Sequence, residues 1–596
     1  MTLRALGGLL VSNVFVLVVG AGVLWGIRGW RWWTELVRLI GVAYLLGLSA
    51  LTILLMHELV VGIPIEPATM LLSGTALVVA GIVAGRLRGF TTPGIRPPGW
   101  RVPKISLFAA LFVAGIVVYF EALFRAERLA GVAREWDSWA LWLPKSRALY
   151  RSGELDPELL RLLPQLPSYP PGPATIQAGA FHAMGSADTT TLHVQYWFIA
   201  VGFAVAVIGL LAQRVHHAIL FPVLLALLVM PNLVDWITTV YADLPLGYLI
   251  AVAALLLILW IEEKKSWQLA TATVFLAGAM LTKREGMLFA VCVLLAGFVA
   301  SFAERRQLSR RLFAAGFVAF ALVLPWRIWF TVHDFPATGS DTGYDGVISD
   351  LDRLWPAFEI SLRTLFHQGL WHFASVVAVA AIVLALLAGA WRLALYAGTL
   401  AVAGLAAVTW ILWVNHGLTL VHEDWALRRL TGTTALALAV LTPLLLERAW
   451  RPSGPASRAV AAPSASDTLF RPSRVAWVVV LAGVLSHPAS MLVGHSGSGL
   501  PGGWPRFPGT AGCAVAPVAD ADVRVVVGYA DSYGEAIAMR GRARAAGLDE
   551  AEASQDGCGR LRVYVDDVPT IPAAQALLAE AQAAGLSPTV ELDPDD

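Results

Sequence analysis

Long apolar runs separated by short polar connections fill most of this chain. Each run is roughly 17–25 residues long, the length of helix that crosses the hydrocarbon core of a bilayer. The pattern therefore predicts a polytopic α-helical membrane protein with about 14 spans. The predicted spans lie near residues 5–27, 34–62, 67–85, 105–124, 191–212, 216–234, 243–261, 267–283, 286–303, 312–331, 369–389, 393–413, 431–446 and 476–494.

Arginine and lysine concentrate in three polar connections, 86–104, 304–311 and 447–475. Connection 86–104 holds five cations and no acid. Cationic connections stay on the cytoplasmic side of a membrane, and all three fall on one side when every predicted span is counted. The opposite face then receives the 125–190 loop, the other connections that hold candidate site residues, and everything after about residue 495.

The last hundred residues follow a different pattern, with short β-branched strands and two alanine-rich helices. The order β-α-β-β-α-β that they predict is typical of a ferredoxin-like fold. We therefore expect a small C-terminal α+β ferredoxin-like domain in 510–596. Strands are predicted at 523–529, near 550–556, at 561–565 and at 589–592, and helices at 535–546 and 571–584.

Composition supports the membrane assignment, because 57% of the 596 residues are hydrophobic and only 14% are charged. The net charge of +1 says nothing about partners, because the charges are segregated by loop. No nucleic-acid partner is expected. Cys292 lies in an apolar run and is expected to be inert packing. Cys513 and Cys558 lie in the polar C-terminal region, where a disulfide is expected if that region is outside the cytoplasm.

Two carboxylates, three tryptophans and a lysine occur within the eleven residues from Glu135 to Lys145. Asp137 closely follows a predicted span, so it lies near the membrane boundary, where a carboxylate can take a proton from an acceptor hydroxyl. Glu135 either shares a divalent metal ion (Mg, Mn or Ca) with it or faces water. The alternative is that both acids are solvated and the tryptophans anchor the chain at the interface.

Further candidates lie on the same predicted face. Asp243 lies at the outer mouth of a span, where helix capping is the alternative role. Lys283 and Arg284 suit a phosphate, with snorkelling at a helix end as their alternative. The remaining candidates are cations for phosphate and aromatic rings for sugar stacking: Lys145, Arg327, Arg428, Arg429, Trp142, Tyr169 and Trp425.

The motifs resemble, in content and order, those of the GT-C membrane glycosyltransferases, which include protein O-mannosyltransferases and lipid A aminoarabinose transferases. The resemblance covers roughly 105–446 and implies a polyprenyl-phosphate-sugar donor and Asp137 as catalytic base. The segment Leu166–Pro171 lacks the His and Asp of the corresponding stretch in bacterial relatives. The matching pieces are Glu-Trp-Asp at 135–137, Tyr-Ala-Asp-Leu-Pro at 241–245, Thr-Lys-Arg-Glu-Gly at 282–286, Pro-Trp-Arg-Ile-Trp at 325–329 and Arg-Leu at 429–430.

The C-terminal region resembles the SPOR-type domains of bacterial envelope proteins, which implies binding to cell-wall glycan. The whole organisation predicts an inverting glycosyltransferase of the bacterial cytoplasmic membrane, acting outside the cytoplasm on a glycan, glycolipid or protein acceptor. A transporter or flippase of a lipid-linked sugar is the alternative, and a non-catalytic envelope scaffold is a third reading. The expected regions are accessory spans in 1–104, a catalytic core in 105–446, a cytoplasmic linker in 447–475, a last span in 476–494 and the domain in 510–596.

Overall fold

The computed structural model describes most of the membrane part and most of the C-terminal unit. The described residues are 3–95, 105–129, 137–157, 160, 168–302, 306–335, 351–414, 425–451, 472–473, 476–482, 523–530, 533–555, 561–568, 571–583, 585–586 and 588–592.

Helices dominate the membrane part, as its apolar runs predict. They are α1 (Leu3–Arg28), α2 (Trp33–Arg38), α3 (Ile40–Val60), α4 (Pro67–Leu87), α5 (Leu107–Leu129), α6 (Leu143–Ser152), α7 (Gly172–Met184), α8 (Thr189–Leu211), α9 (His217–Leu228), α10 (Pro231–Thr238), α11 (Asp243–Glu263), α12 (Ser266–Thr282), α13 (Glu285–Phe302), α14 (Arg306–Ala321), α15 (Leu324–Val332), α16 (Leu351–Leu365), α17 (Gln368–Trp371), α18 (Ala374–Leu387), α19 (Trp391–Val414) and α20 (Trp425–Trp450). A π-helical turn, Ser138–Trp142, runs directly into α6.

Within the described residues, 10 helices are long and apolar enough to cross a membrane, or 11 if the bent pair α9 and α10 counts as one span. Two other predicted spans coincide with the shorter helices α12, of 17 residues, and α18, of 14 residues. The predicted last span, 476–494, runs past residue 482 and out of the described residues. The helices agree with a polytopic membrane protein, and the count of about fourteen stays a prediction.

Helix α11 lies at the centre of the bundle, with its whole apolar stretch buried. It packs against α12, α13 and α20. Small residues allow close crossings elsewhere in the bundle, as is common between membrane helices. Between α1 and α3, for example, a Cβ on Gly20 would lie 1.7 Å from the Ala43 carbonyl oxygen, and one on Gly47 would lie 1.9 Å from that of Val16.

The two ends of α11 carry separate groups of ion pairs. Its 21 residues give a helix about 30 Å long, the thickness of a bilayer core. Asp243 begins the helix and lies in the candidate site described below. At the other end, Glu262 pairs with Arg448 at 2.9 Å and Glu263 accepts from Arg214 Nη2 at 2.8 Å. The charged residues of α11 are therefore confined to its two ends.

The C-terminal unit has four strands and two helices in the order β-α-β-β-α-β. The strands form one antiparallel sheet in the spatial order 552–555, 561–568, 523–530 and 589–592, and valines and alanines fill the core beneath the helices. Cys513 and Cys558 lie outside the described residues, so their disulfide stays a prediction. The elements are β3 (Val523–Ala530), α21 (Tyr533–Ala545), β4 (Glu552–Gln555), β5 (Leu561–Val568), α22 (Ile571–Ala583) and β6 (Thr589–Leu592), after a two-residue pairing of β1 (Ile105–Ser106) with β2 (Pro472–Ser473).

Candidate active site

Helix ends bring five charged side chains from distant parts of the chain to one end of the bundle. Asp137 immediately precedes the π-helical turn, and Asp243 is the first residue of α11. Lys283 lies between α12 and α13, and Glu285 begins α13. Arg429 lies in the first turns of α20. Antiparallel helices that meet at one end of a bundle place all five at the same level.

Arg429 lies between two carboxylates. Its Nη2 donates to Asp137 Oδ2, and its Nε and Nη2 donate to Asp243 Oδ2 at 3.0 and 2.8 Å. Lys283 Nζ donates to the other oxygen of Asp243 at 2.9 Å and lies 3.5 Å from Glu285 Oε1. We call the series Asp137, Arg429, Asp243, Lys283 and Glu285 the ionic ladder.

The middle of the ionic ladder is removed from water. Asp243, Lys283 and Arg429 are only 2%, 3% and 9% exposed. Burying a charge costs several kcal/mol unless an opposite charge and good hydrogen bonds compensate it. Signs alternate along the ladder, so each buried charge contacts an opposite one. The side chains at the two ends, Asp137 and Glu285, are 13% and 11% exposed.

Tyr169, in the segment before α7, contacts the ionic ladder through its hydroxyl and its ring. Its hydroxyl donates to Glu285 Oε1 at 2.8 Å. Its ring lies 5.6 Å from Lys283 Nζ and 5.8 Å from the Arg284 guanidinium, within the range of a cation–π contact. Burial, and then the Glu285 carboxylate, raise the pKa of Tyr169 well above that of a free phenol. The hydroxyl therefore stays protonated and remains a donor.

Lys145 lies on the other side of Tyr169. Its ammonium donates to the Tyr169 carbonyl oxygen at 3.1 Å and lies 5.7 Å from the Trp142 ring centroid. The Trp142 and Tyr169 rings are 5.9 Å apart. Burial lowers the pKa of Lys145 to about 7, so its charge changes near neutral pH. Lys145 thus places a cation beside the ladder whose charge depends on pH.

Three alternative roles do not match the geometry. An interface anchor contacts lipid headgroups, whereas Trp142 is 0% exposed. Asp243 does not cap α11, because the N-cap is Ala242 and makes no side-chain capping bond. Lys283 does not snorkel towards water, because it is ion-paired inside the protein. Trp142, Asp243 and Lys283 are instead all buried inside the protein.

Other candidates lie apart from the ladder or outside the described residues. Arg327 and Arg428 form no ion pair with the ladder in the part of the chain that the structure describes. Glu135 and the side chain of Trp425 lie outside that part. No three His, Cys, Asp or Glu side chains among the described residues are close enough to hold a metal ion. The metal shared by Glu135 and Asp137 stays a prediction.

Two residues of the site were not among the sequence candidates. Glu285 ends the ladder, and the Tyr241 ring lies 4.6 Å from the Arg429 guanidinium. Each belongs to a motif already singled out, since Glu285 follows Lys283 and Arg284 and Tyr241 comes two residues before Asp243. The opposite charges of the neighbouring residues Lys283 and Glu285 were the sequence feature that could have predicted their ion pair. The motifs could not show which partners lie across the bundle.

Residues 168–329 match the family model of the dolichyl-phosphate-mannose-protein mannosyltransferases. The match spans 162 of the 596 residues (329 − 168 + 1) and includes Tyr169, Asp243, Lys283 and Glu285 but not Asp137 or Arg429. It indicates a membrane glycosyltransferase of the mannosyltransferase type that uses a polyprenyl-phosphate sugar donor. Comparisons with curated proteins and with solved structures give no significant match.

Proposed function

We propose that this protein transfers a sugar from a polyprenyl-phosphate donor to an acceptor hydroxyl at the end of the bundle that holds the ionic ladder. The observation that carries the proposal is the position of Asp137. Its carboxylate ends the ladder with 13% of the side chain exposed, and it follows α5 by eight residues. A base there is within reach of a lipid whose phosphate lies at the membrane boundary. The family match supports the donor class.

In the proposed reaction the acceptor hydroxyl gives its proton to the Asp137 carboxylate. The acceptor oxygen forms a bond to the anomeric carbon as the bond from that carbon to the phosphate oxygen breaks. The electron pair leaves with the lipid phosphate, and attack from the opposite side inverts the anomeric centre. Arg429 holds the base in position through its hydrogen bond to Asp137.

Charge counting separates two groups of cations. Three carboxylates and two cations give the ionic ladder a formal charge of −1, so Lys283 and Arg429 are already neutralised. Lys145 and Arg284 lie beside the ladder and outside it, on either side of Tyr169, where a cation can attract a phosphate. We therefore assign the donor phosphate to Lys145 and Arg284, which flank Tyr169. Lys283 and Arg429 position the carboxylates.

Mannose is the sugar to test first, because the matched family takes its name from that transfer. The acceptor is a protein, a glycan or a glycolipid. The test uses the purified full chain in lipid nanodiscs with labelled synthetic polyprenyl-phosphate mannose and an envelope extract. Covalent product together with released polyprenyl phosphate supports the proposal, and GDP-mannose serves as the control donor. Intact donor crossing a vesicle membrane without product would instead assign the protein to transport.

The proposal places this site outside the cytoplasm of a bacterium. The cationic connections 86–104, 304–311 and 447–475 support that orientation through the positive-inside rule. Labelling tests it in a cysteine-free background with Ser152→Cys, which is exposed on α6. Reaction of intact cells or spheroplasts with an impermeant thiol reagent is expected at that position. Protection until the membrane is broken would reverse the orientation.

For the C-terminal unit we propose a ferredoxin-like, SPOR-type domain that binds cell-wall glycan outside the cytoplasm. The observed element order and the all-antiparallel sheet order β4-β5-β3-β6 support the fold assignment. Binding of the full chain to purified peptidoglycan, lost when residues 510–596 are deleted, is the expected result. Equal binding by both forms would remove the glycan role.

A further inference from the structure

A cavity of about 250 Å³ lies between α1 and α4 and the segments that follow each helix. A single buried water needs roughly 10–15 Å³, so this space suits a larger occupant. Tryptophan rings form much of its wall, and one arginine lies at its edge. The lining side chains that matter here are Trp25, Trp30, Trp33, Ile82 and Arg86.

The cavity lies at the end of the bundle opposite the ionic ladder. Arg28, the last residue of α1, lies with its guanidinium 5.6 Å from the ring centroid of Trp267. Trp267 is in the first turn of α12, whereas Lys283 of the ladder follows the last turn of the same helix. An occupant of the cavity is therefore separated from the candidate active site by the thickness of the membrane part.

Backbone contacts hold the cavity open. A Cβ on Gly81 of α4 would lie 2.1 Å from the Gly22 carbonyl oxygen of α1, so the two helices touch and cannot approach further. Trp25 and Trp30 pack edge to face with ring centroids 4.8 Å apart. The backbone N–H of Trp33 donates to the Gly94 carbonyl oxygen at 3.0 Å. The aromatic wall is thus fixed before any ligand arrives.

The cavity combines an apolar wall with a cationic edge. Trp30 is 8% exposed and its Nε1–H is shielded from solvent, so this tryptophan offers a ligand its ring and not its donor. At the edge, Arg86 uses part of its five-donor guanidinium on the Phe90 carbonyl oxygen and Thr92 Oγ1, at 3.3 and 3.0 Å. A ligand with acceptor oxygens at one end and an apolar body fits both features.

We propose that this cavity binds a phospholipid with an anionic headgroup. Its phosphate contacts Arg86, and its acyl chain packs on the tryptophan rings. Charge complementarity favours an anionic over a zwitterionic lipid, because connection 86–104 holds five cations and no acid. Such segments attract anionic lipid surfaces.

Native mass spectrometry of the full chain in detergent tests the proposal, with phosphatidylglycerol and phosphatidylcholine titrated separately. We expect tighter retention of phosphatidylglycerol. Arg86→Gln should weaken it about fivefold, the effect of removing one cation near a lipid phosphate. Arg310→Gln, which removes an exposed cation on α14, is the matched control and should leave retention unchanged.

Equal retention of the two lipids would overturn the proposal, as would equal effects of Arg86→Gln and Arg310→Gln. Complete competition by inorganic phosphate would assign the site to a free anion and would also overturn it. Arg86 is exposed, so its variant should fold and can be compared directly with Arg310→Gln.

Discussion

Asp243→Asn should destabilise the protein strongly, although the asparagine and aspartate side chains have nearly the same shape. Asp243 accepts hydrogen bonds from Lys283 through one oxygen and from Arg429 through the other. The amide keeps the volume but removes the negative charge between two buried cations. The two cations would then face each other across a low-dielectric site, and each would keep only one ladder carboxylate, Asp137 for Arg429 and Glu285 for Lys283.

The expected cost is about 3–5 kcal/mol, the range found when one partner of a buried ion pair is removed. Glu359→Gln is the matched control, because Glu359 pairs with Arg363 on the surface with side chains 42% and 59% exposed. Exposed pairs contribute about 0–1 kcal/mol. Asp243→Asn combined with Lys283→Gln should cost less than the sum of the single changes, because the double variant removes one of the two cations that lose the Asp243 carboxylate.

Denaturant unfolding of the purified full chain in detergent micelles, followed by tryptophan fluorescence and circular dichroism, measures these differences. A cost for Asp243→Asn no larger than that for Glu359→Gln would refute the reasoning. Strict additivity of the double variant would also refute it, because the two residues would then not interact.

Three further results are expected. If Glu135 and Asp137 share a metal ion, Glu135→Gln should reduce transfer as severely as Asp137→Asn, and a chelator should reduce it too. A mild effect of Glu135→Gln on donor turnover would show that Asp137 acts alone. Donor affinity should fall as pH rises through about 7, because the pKa of Lys145 lies there and only its ammonium form attracts phosphate. In the Lys145→Met variant, the Michaelis constant for the donor should lose this pH dependence. Cys513 and Cys558 should resist thiol titration until reductant is added, and closing a loop of their separation should stabilise the C-terminal unit by a few kcal/mol, about 3–4 in the entropy model.

The positions of most spans could be predicted from sequence because hydropathy measures directly what a bilayer requires. The predicted span 216–234 is less regular than its composition suggests. In the structure it is two helices, α9 and α10, bent by 60° at a break before Pro231. Proline lacks the N–H that would continue the hydrogen-bond pattern of a helix, so the break itself has a local cause. Its angle depends on packing that the sequence does not display.

The common face of the site residues could also be predicted, because orientation follows from counting spans. Their pairing could not. Asp137 and Arg429 are 292 positions apart, and no local pattern selects Arg429 over its neighbour Arg428 as the partner. Glu285 stands beside Lys283 and Arg284, which the sequence pattern assigns to a phosphate, and no local feature marks it as a partner of the buried cations. In the folded protein, the Asp137 and Glu285 carboxylates help to neutralise the buried cations Arg429 and Lys283.

The most direct test of the central claim is the rate of sugar transfer by Asp137→Asn under saturating donor. The asparagine keeps the size of the side chain but cannot accept the proton, so the turnover rate should fall by about 10²–10⁴, the usual contribution of a general base. Donor binding, which depends on Lys145 and Arg284, should stay nearly unchanged. Near-normal transfer by a normally expressed Asp137→Asn protein would contradict the account.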